Sequence, residues 1–391
     1  MSLLFWLSLA LVFYTYAGYP LQLWLMTRLR PQPVLRGSDT PEVVMIVVGF
    51  NEAHRIIAKV QTCLNQDYPA DKLRVLIVSD GSTDRTADVV RALNDPRVEV
   101  LECPARRGKA ACLNDGVAHT TAPLIVFTDA RQRLNPQAVS QLVANFADPS
   151  IGAVSGELVF EQADGSPFAD GIGAYWLYEK FIRNSEARTG SVVGVTGALY
   201  ALRRECFAPI PAETILDDVA IPMQAAMKGW RVSFEGGALA YDLPSTDAAK
   251  EKIRKVRTLA GNFQLVSLYP ALLSPWHNPL WGRFMAHKML RVLCPLALLL
   301  AFVSHSVLAF EAPGFFRATW ALHLGGYLLM VLAMLVPALQ RFKILRLAVT
   351  FAHLNIFVVL GFISFVTQKQ SHLWGSSTVA NSPHGQNPTG K

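Results

Sequence analysis

Apolar positions in the first third of the chain come in short unbroken runs, and the intervening stretches carry a helical period. Leu124 to Phe127 is apolar throughout and runs into Thr128, Asp129, Ala130 and Arg131. The run shows no period-two alternation. A strand of that kind is covered on both faces, as in a parallel sheet clad by helices. Val43 to Val48 and Leu73 to Val78 repeat the pattern, and Val98 to Leu101 is a shorter instance. Between them lie a turn and helix over Asn51 to Asn65, a helix from Asp84 or Thr86 to Leu93, and a helix over Lys109 to Ala118. Strand and helix alternating at this interval predict βαβ units. From about residue 150 the pattern loosens into a mixed α+β region with many glycines.

A second pattern lies at the two ends. Leu3 to Met26 carries no charge and is followed by Arg28, Arg30 and Arg36. This run is long enough to span a bilayer. It exceeds a signal-peptide core and no basic residue precedes it, which favours a retained anchor over a cleaved signal. Three more apolar runs, Val292 to Phe310, Ala318 to Leu339 and Leu347 to Val366, approach spanning length. Basic residues crowd the approach to the first (Arg283, Lys288, Arg291) and the link between the last two (Arg341, Lys343, Arg346). The link between the first two holds only Glu311 and Arg317. The positive-inside rule then predicts four spans with both termini outside and the α/β region in the cytoplasm of an inner or plasma membrane. His305, His323, His353 and Asn355 fall inside the spans, where histidines scattered over several helices serve packing or helix–helix bonding more often than proton or metal chemistry.

These patterns divide the chain into an anchor (1–30), a Pro- and Gly-containing linker (31–41), an α/β domain (42–247), an amphipathic interfacial segment (248–282), three further spans (283–367) and a polar tail (368–391) expected to be disordered. In the interfacial segment Ile253, Val256, Phe263 and Val266 recur at roughly helical spacing among Lys250, Lys252, Arg254, Lys255 and Arg257. Tyr269, Trp276 and Trp281 come next, as in an interfacial aromatic belt. Such a segment is expected to bind membrane lipids.

Composition agrees. The chain has 391 residues, 51% hydrophobic and 17% charged, too apolar for an ordinary soluble enzyme. The net charge of +7 suits cytoplasmic flanks of membrane segments or an anionic substrate. No nucleic-acid-reading motif accompanies it, so a nucleic-acid partner is excluded. Five scattered cysteines, none at CxxC spacing, read as reduced, buried thiols and not as a metal site.

Two nucleotide motifs are also excluded. GFNEAH stands after the first strand where a dinucleotide enzyme has GxGxxG, and Arg107-Gly108-Lys109-Ala110 lacks the upstream glycine and the Ser/Thr of a P-loop. The strands instead lead into acids: Glu52 after the first, Asp80 after the second, within DGSTD, and Asp129 after the fourth. Each acid can cap a turn, since DGSTD is good turn chemistry. Together, at the carboxyl ends of parallel strands, they stand where such sheets bind ligands. Lys109 opens a helix, whose N-terminus already favours anions.

The segments VVGFNEAHRI, VLIVSDGSTDRT, RRGKAACLNDG, LIVFTDA, GVTGALYALRR and LDDVAIPMQAAMKGWRV, in that order over Val43 to Leu265, resemble the inverting family 2 glycosyltransferases. The resemblance implies the glycosyltransferase A fold, a Rossmann-like α/β domain, and transfer from a nucleotide-sugar donor, most often UDP-linked. It implies that Glu52 and Asp80 contact the nucleoside, that Lys109 faces the diphosphate, and that Asp129 holds Mg²⁺ or Mn²⁺. Asp218 would be the general base, with Asp217 in the place of the acid that usually precedes it. Helix capping before Val219 to Lys228 would be compatible with that role.

Two departures stand out. Arg131 occupies the position where the family usually has a second acid, so the cation has fewer protein ligands or Arg131 takes part of the charge-neutralising role. In KIRKVRTLAGN, Arg257 matches the arginine of the processive members' Gln-x-x-Arg-Trp and would contact the diphosphate, but Thr258 stands in place of the tryptophan. Arg254 and Thr258 would then face the acceptor. These features predict a membrane glycosyltransferase acting on a lipid-linked or saccharide acceptor in surface-polysaccharide or glycolipid synthesis. The alternatives are a small processive synthase, which Thr258 disfavours, and a non-catalytic scaffold, which the intact Asp80, Lys109, Asp129 and Asp218 set disfavours.

Overall fold

A computed structural model describes residues 1–161, 167–243, 248–311 and 314–368. Most of the polar tail therefore lies outside the described residues. Among those described, eight strands form one sheet in the order β3-β2-β1-β4-β7-β6-β8-β5. The strands are β1 Val43–Gly49, β2 Leu73–Ser79, β3 Val98–Glu102, β4 Leu124–Thr128, β5 Arg133–Leu134, β6 Ile151–Phe160, β7 Leu199–Arg203 and β8 Arg231–Asp242. Strands β1 to β4 pair in parallel, with Val43 opposite both Leu73 and Leu124. Strand β7 then runs antiparallel to β4 and β6, so the second half of the sheet is mixed.

The unbroken apolar strands are buried on both faces. Val44, Ile46, Val48, Leu76, Val78, Ile125 and Phe127 face one core. Val43, Met45, Val47, Val75, Ile77, Leu124 and Val126 face the other. This is the α/β arrangement that the alternation predicts, in the glycosyltransferase A-like, Rossmann-like form that the resemblance implies.

The helices are α1 Ser2–Leu29, α2 Ile56–Leu64, α3 Thr86–Arg91, α4 Lys109–His119, α5 Ala138–Ala144, α6 Pro167–Arg188, α7 Asp217–Met227, α8 Ala248–Leu268, α9 Trp281–Glu311, α10 Phe315–Leu335 and α11 Lys343–Val366, with α1 and α9 each containing a π turn. Four of the described helices, α1, α9, α10 and α11, are long and apolar enough to cross a membrane. The second C-terminal run stops earlier than its apolar residues suggest. Val336 is extended because Pro337 comes after it, and this ends α10 at Leu335. Lys343 and Arg346 accordingly sit in the first turns of α11 rather than in a link.

Two segments are packed more firmly than their sequences imply. The linker is pinned to the domain: Gly37 N–H donates to the Ala144 carbonyl at 3.0 Å, and Arg36 pairs with Glu235 at 2.6 Å. The face of α8 that periodicity assigns to a membrane surface lies partly on α11. Phe263 meets Phe362 and Phe365 at centroid distances of 5.2 and 6.1 Å, while Ile253 stays exposed. Gly361 permits this approach, since a Cβ there would sit 2.9 Å from Leu259 Cβ.

Candidate active site

The carboxyl ends of β1, β2 and β4 carry the predicted acids, and local sequence fixes each one. After β1, Asn51 adopts a left-handed conformation with φ 56°. Its Oδ1 accepts from the Thr83 amide at 2.8 Å, stitching the first turn to the DGSTD loop. Glu52 is half-buried and pairs with Arg55 at 2.8 Å. Burial raises its pKa, with Arg55 opposing the rise.

Asp80, after β2, is fully buried. Its Oδ1 accepts from Arg107 N–H at 2.7 Å and its Oδ2 from Gly108 N–H at 2.9 Å. This carboxylate therefore holds the loop that leads into α4. Gly81 lets the two loops touch, because a Cβ on it would lie 2.5 Å from the backbone of Ala105 and Arg106.

Lys109 is the first residue of α4 and reaches across the sheet's end. Its Nζ lies 2.8 Å from Asp129 Oδ1 and 3.1 Å from Asp217 Oδ2. Burial alone would lower its pKa, but Asp129 and Asp217 outweigh that and raise it. Lys109 is therefore a fixed cation. Lys59 supports the floor of the site, its buried Nζ donating to Thr128 Oγ1 at 2.6 Å and to the Gln132 carbonyl at 2.8 Å.

Asp217 and Asp218 occupy the first turn of α7, one position inside the helix end, and neither makes a side-chain cap. The capping reading is corrected accordingly: the acids face the positive end of the helix without closing it. Asp218 is pushed up to about 6 by burial and by Asp217, against the opposing pull of Lys288, Lys109 and Arg183. Arg257 of α8 is partly buried, within electrostatic reach of Asp217, Asp218 and Asp129, and burial lowers its pKa.

The structure thus gathers Lys109, Asp129, Asp217, Asp218 and Arg257 into one cluster. Arg254 is not part of it, pairing instead with Glu251 at 2.7 Å, and Thr258 is exposed. Arg131 is bonded to the buried Asp242 at the end of β8, so its charge answers that carboxylate. Asp242 gave no sequence signal beyond ending a strand. Tyr200 was also missed. It is 1% exposed, its hydroxyl has no hydrogen-bond partner among the described residues, and Asp217, Asp218 and Asp129 surround it. Within the GVTGALYALRR segment it reads as an ordinary core aromatic, and it does stack on Phe127 at 4.7 Å.

Residues 44–210 match the Glycosyl transferase family 2 profile. Over this segment the chain is similar to the family 2 glycosyltransferases. Over 211 residues the chain is 26% identical to a beta-monoglucosyldiacylglycerol synthase of Synechocystis, a match covering 51% of this chain and 44% of that protein. Over 175 residues it is 32% identical to an N-acetylglucosaminyltransferase of Rhizobium meliloti, covering 44% and 41%. A poly-beta-1,6-N-acetyl-D-glucosamine synthase of Staphylococcus aureus is 22% identical over 251 residues, covering 61% and 58%. The chain spans about half the length of the curated relatives it matches. A solved mannosyltransferase from Pyrobaculum calidifontis, in complex with GDP-Man and Mn²⁺, is similar over more of the chain. It is 25% identical with a TM-score of 0.71, covering 94% of this chain and all of that one. The likeness therefore extends beyond residues 44–210 into the apolar helices.

Proposed function

We propose that the protein is a membrane glycosyltransferase that moves a sugar from a nucleotide-sugar donor to a membrane-associated acceptor with inversion. The observation that carries this reading is the cluster of Lys109, Asp129, Asp217 and Asp218 at the strand ends of a family 2 domain joined to membrane-length helices. In this reading Asp218 accepts the proton of an acceptor hydroxyl as its oxygen attacks the anomeric carbon. The bond from that carbon to the diphosphate breaks on the opposite face. Lys109 and Arg257 stabilise the negative charge that collects on the departing diphosphate. A base near pH 6 suits this task, being ionised at neutral pH yet more basic than an ordinary aspartate.

A divalent cation fits the site in a limited way. Among the described residues no group of three or more His, Cys, Asp or Glu side chains forms a metal cage. Asp129 would be its protein ligand, with the rest of the shell from diphosphate oxygens and water, the usual manner of holding Mg²⁺. Bound there, Mg²⁺ or Mn²⁺ would supply further neutralisation of the diphosphate. The Pyrobaculum mannosyltransferase solved with Mn²⁺ supports this assignment.

The acceptor is taken to be a lipid or a lipid-linked saccharide, because the base lies beside α9, whose Lys288 acts on it. The family resemblance favours a UDP-linked donor, while the Pyrobaculum enzyme was solved with GDP-Man, so both belong in the test. Detergent-solubilised protein mixed with membrane lipids and a panel of UDP- and GDP-sugars should release one nucleoside diphosphate and yield a glycosylated lipid by mass spectrometry. Absence of release and product across the panel contradicts the proposal.

A further inference from the structure

The C-terminal halves of α1 and α6 share a cleft. The two helices run side by side in the same direction. The Tyr178 hydroxyl donates to the Tyr16 carbonyl at 3.1 Å, and further along Gln32 N–H donates to the Arg188 carbonyl at 2.7 Å. Between the helices lies a cavity of about 460 Å³ whose walls include Trp24 and Arg28 of α1 and Leu177, Lys180, Phe181 and Arg188 of α6. Among the described residues no acid lines it, and none of its lining residues belongs to the Lys109, Asp129, Asp217 and Asp218 cluster.

The cleft is graded from apolar to basic. Along α6, Leu177 and Phe181 come first, one helical turn apart and both exposed, and Arg188 ends the helix. Along α1 the exposed Trp24 precedes Arg28, which stands in the last turn of a helix long enough to cross a membrane. Arg28 Cζ lies 4.0 Å over the Trp24 ring. Stacking of this kind fixes the guanidinium plane and leaves its N–H edge free.

The two arginines lack counter-charge. Lys180 is answered by Glu157 at 2.6 Å, but among the described residues neither Arg28 nor Arg188 comes within 4.0 Å of a carboxylate oxygen. The acids elsewhere on α6 are engaged. Glu179 accepts from His287 Nε2 and from Arg291 of α9, each at 2.8 Å. Glu186 accepts from His287 Nδ1 at 2.9 Å and from the Tyr19 hydroxyl at 2.5 Å. A ligand that answers two guanidinium groups and covers the apolar wall before them carries an anionic head and an apolar tail.

We propose that this cleft binds an anionic phospholipid, with its phosphodiester between Arg28 and Arg188 and its acyl chains along Leu177, Phe181 and Trp24. Guanidinium groups pair with phosphate through parallel N–H bonds, and basic residues beside a span attract acidic lipids. The occupant is a membrane lipid, because a free anion leaves the apolar wall uncovered. Bound there, the lipid bridges α1 and α6 and so ties the α/β domain to the bilayer. The inference does not depend on the sugar transfer.

The test is binding, measured on the full chain in detergent. The probes are short-chain phosphatidylglycerol, short-chain phosphatidylcholine, which adds a cation to the same phosphodiester and chains, and inorganic phosphate. The wild-type protein should bind phosphatidylglycerol about tenfold or more tightly than phosphatidylcholine or inorganic phosphate. Arg28→Gln and Arg188→Gln should each weaken phosphatidylglycerol binding about fivefold. Arg30→Gln, which removes an exposed arginine just outside the cavity, should leave it unchanged. The melting temperature without lipid confirms an intact fold in each variant. Equal binding of the two lipids by the wild type overturns the proposal whatever the variants do. So does an unchanged affinity in both glutamine variants of the cavity, an equal loss in Arg30→Gln, which marks diffuse attraction to a basic surface, or inorganic phosphate binding as tightly as the lipid.

Discussion

Lys109 Nζ stands 2.8 Å from Asp129 Oδ1, so the first residue of α4 and the residue that ends β4 meet over the edge of the sheet. The contact orders the site before any substrate arrives. It places a cation beside the acid assigned to a second cation, and only a ligand carrying several negative charges reconciles the two. A nucleoside diphosphate is such a ligand.

In the proposed reading Asp80 acts on the donor through the backbone it holds, the Arg107 and Gly108 amides. An Asp80→Asn change keeps one acceptor oxygen and turns an amide against the other N–H, Arg107 or Gly108. Loss of one buried bond costs about 1–3 kcal/mol. The variant should melt at a lower temperature and bind UDP or GDP more weakly, because the loop before Lys109 loosens. Calorimetry and nucleotide titration check this. Unchanged stability would show that the loop does not depend on Asp80.

The role proposed for Asp129 predicts that transfer depends on a divalent metal. EDTA should abolish transfer, and Mg²⁺ or Mn²⁺ should restore it, while Asp129→Asn should not be rescued by either ion at ordinary concentrations. Full activity in the chelator would shift charge neutralisation to Lys109 and Arg257.

The raised pKa of Asp218 also predicts a stability profile. A carboxyl whose folded value, about 6, exceeds its ordinary 3.8 holds its proton more tightly in the folded state. Its contribution to stability is present at low pH and is lost as pH rises through about 6. Asp218→Asn has no such loss, so it should melt above the wild type at about pH 8, with the gap closing toward about pH 4. Thermal melts across that range decide it. A variant less stable than wild type at alkaline pH would mean that Asp218 is not held against its charge.

Topology is tested by reporters. One fused at Lys343 should read as cytoplasmic and one at Gly314 as outside, on the positive-inside argument. Reversal at either position means a span was miscounted.

The sheet was legible because buried parallel strands leave unbroken apolar runs, and β1, β2 and β4 are such runs. The acids at their ends were legible because turn chemistry and strand ends mark themselves. The site was less so where side chains travel far along the chain to act. Lys59 sits on the buried face of α2 with Ile56, Val60 and Cys63. A lysine at such a position looks like a solvated one until Thr128 and the Gln132 carbonyl are seen to receive it. Asp242 and Arg131 lie 111 residues apart, and no local pattern links them. Lys288 read as a flanking positive charge of a span, and only the approach of α9 to α6 brings it to bear on Asp218.

The central claim is that Asp218 is the base of a sugar transfer, and Asp218→Asn tests it most directly. The substitution keeps the side chain's size but cannot take a proton. With the donor and lipid acceptor found by the panel, nucleotide binding and single-turnover transfer should be measured on wild type and variant together. The account predicts near-normal donor affinity with transfer slowed about 10²–10⁴-fold. Transfer at the wild-type rate would contradict it and pass the role to Asp217.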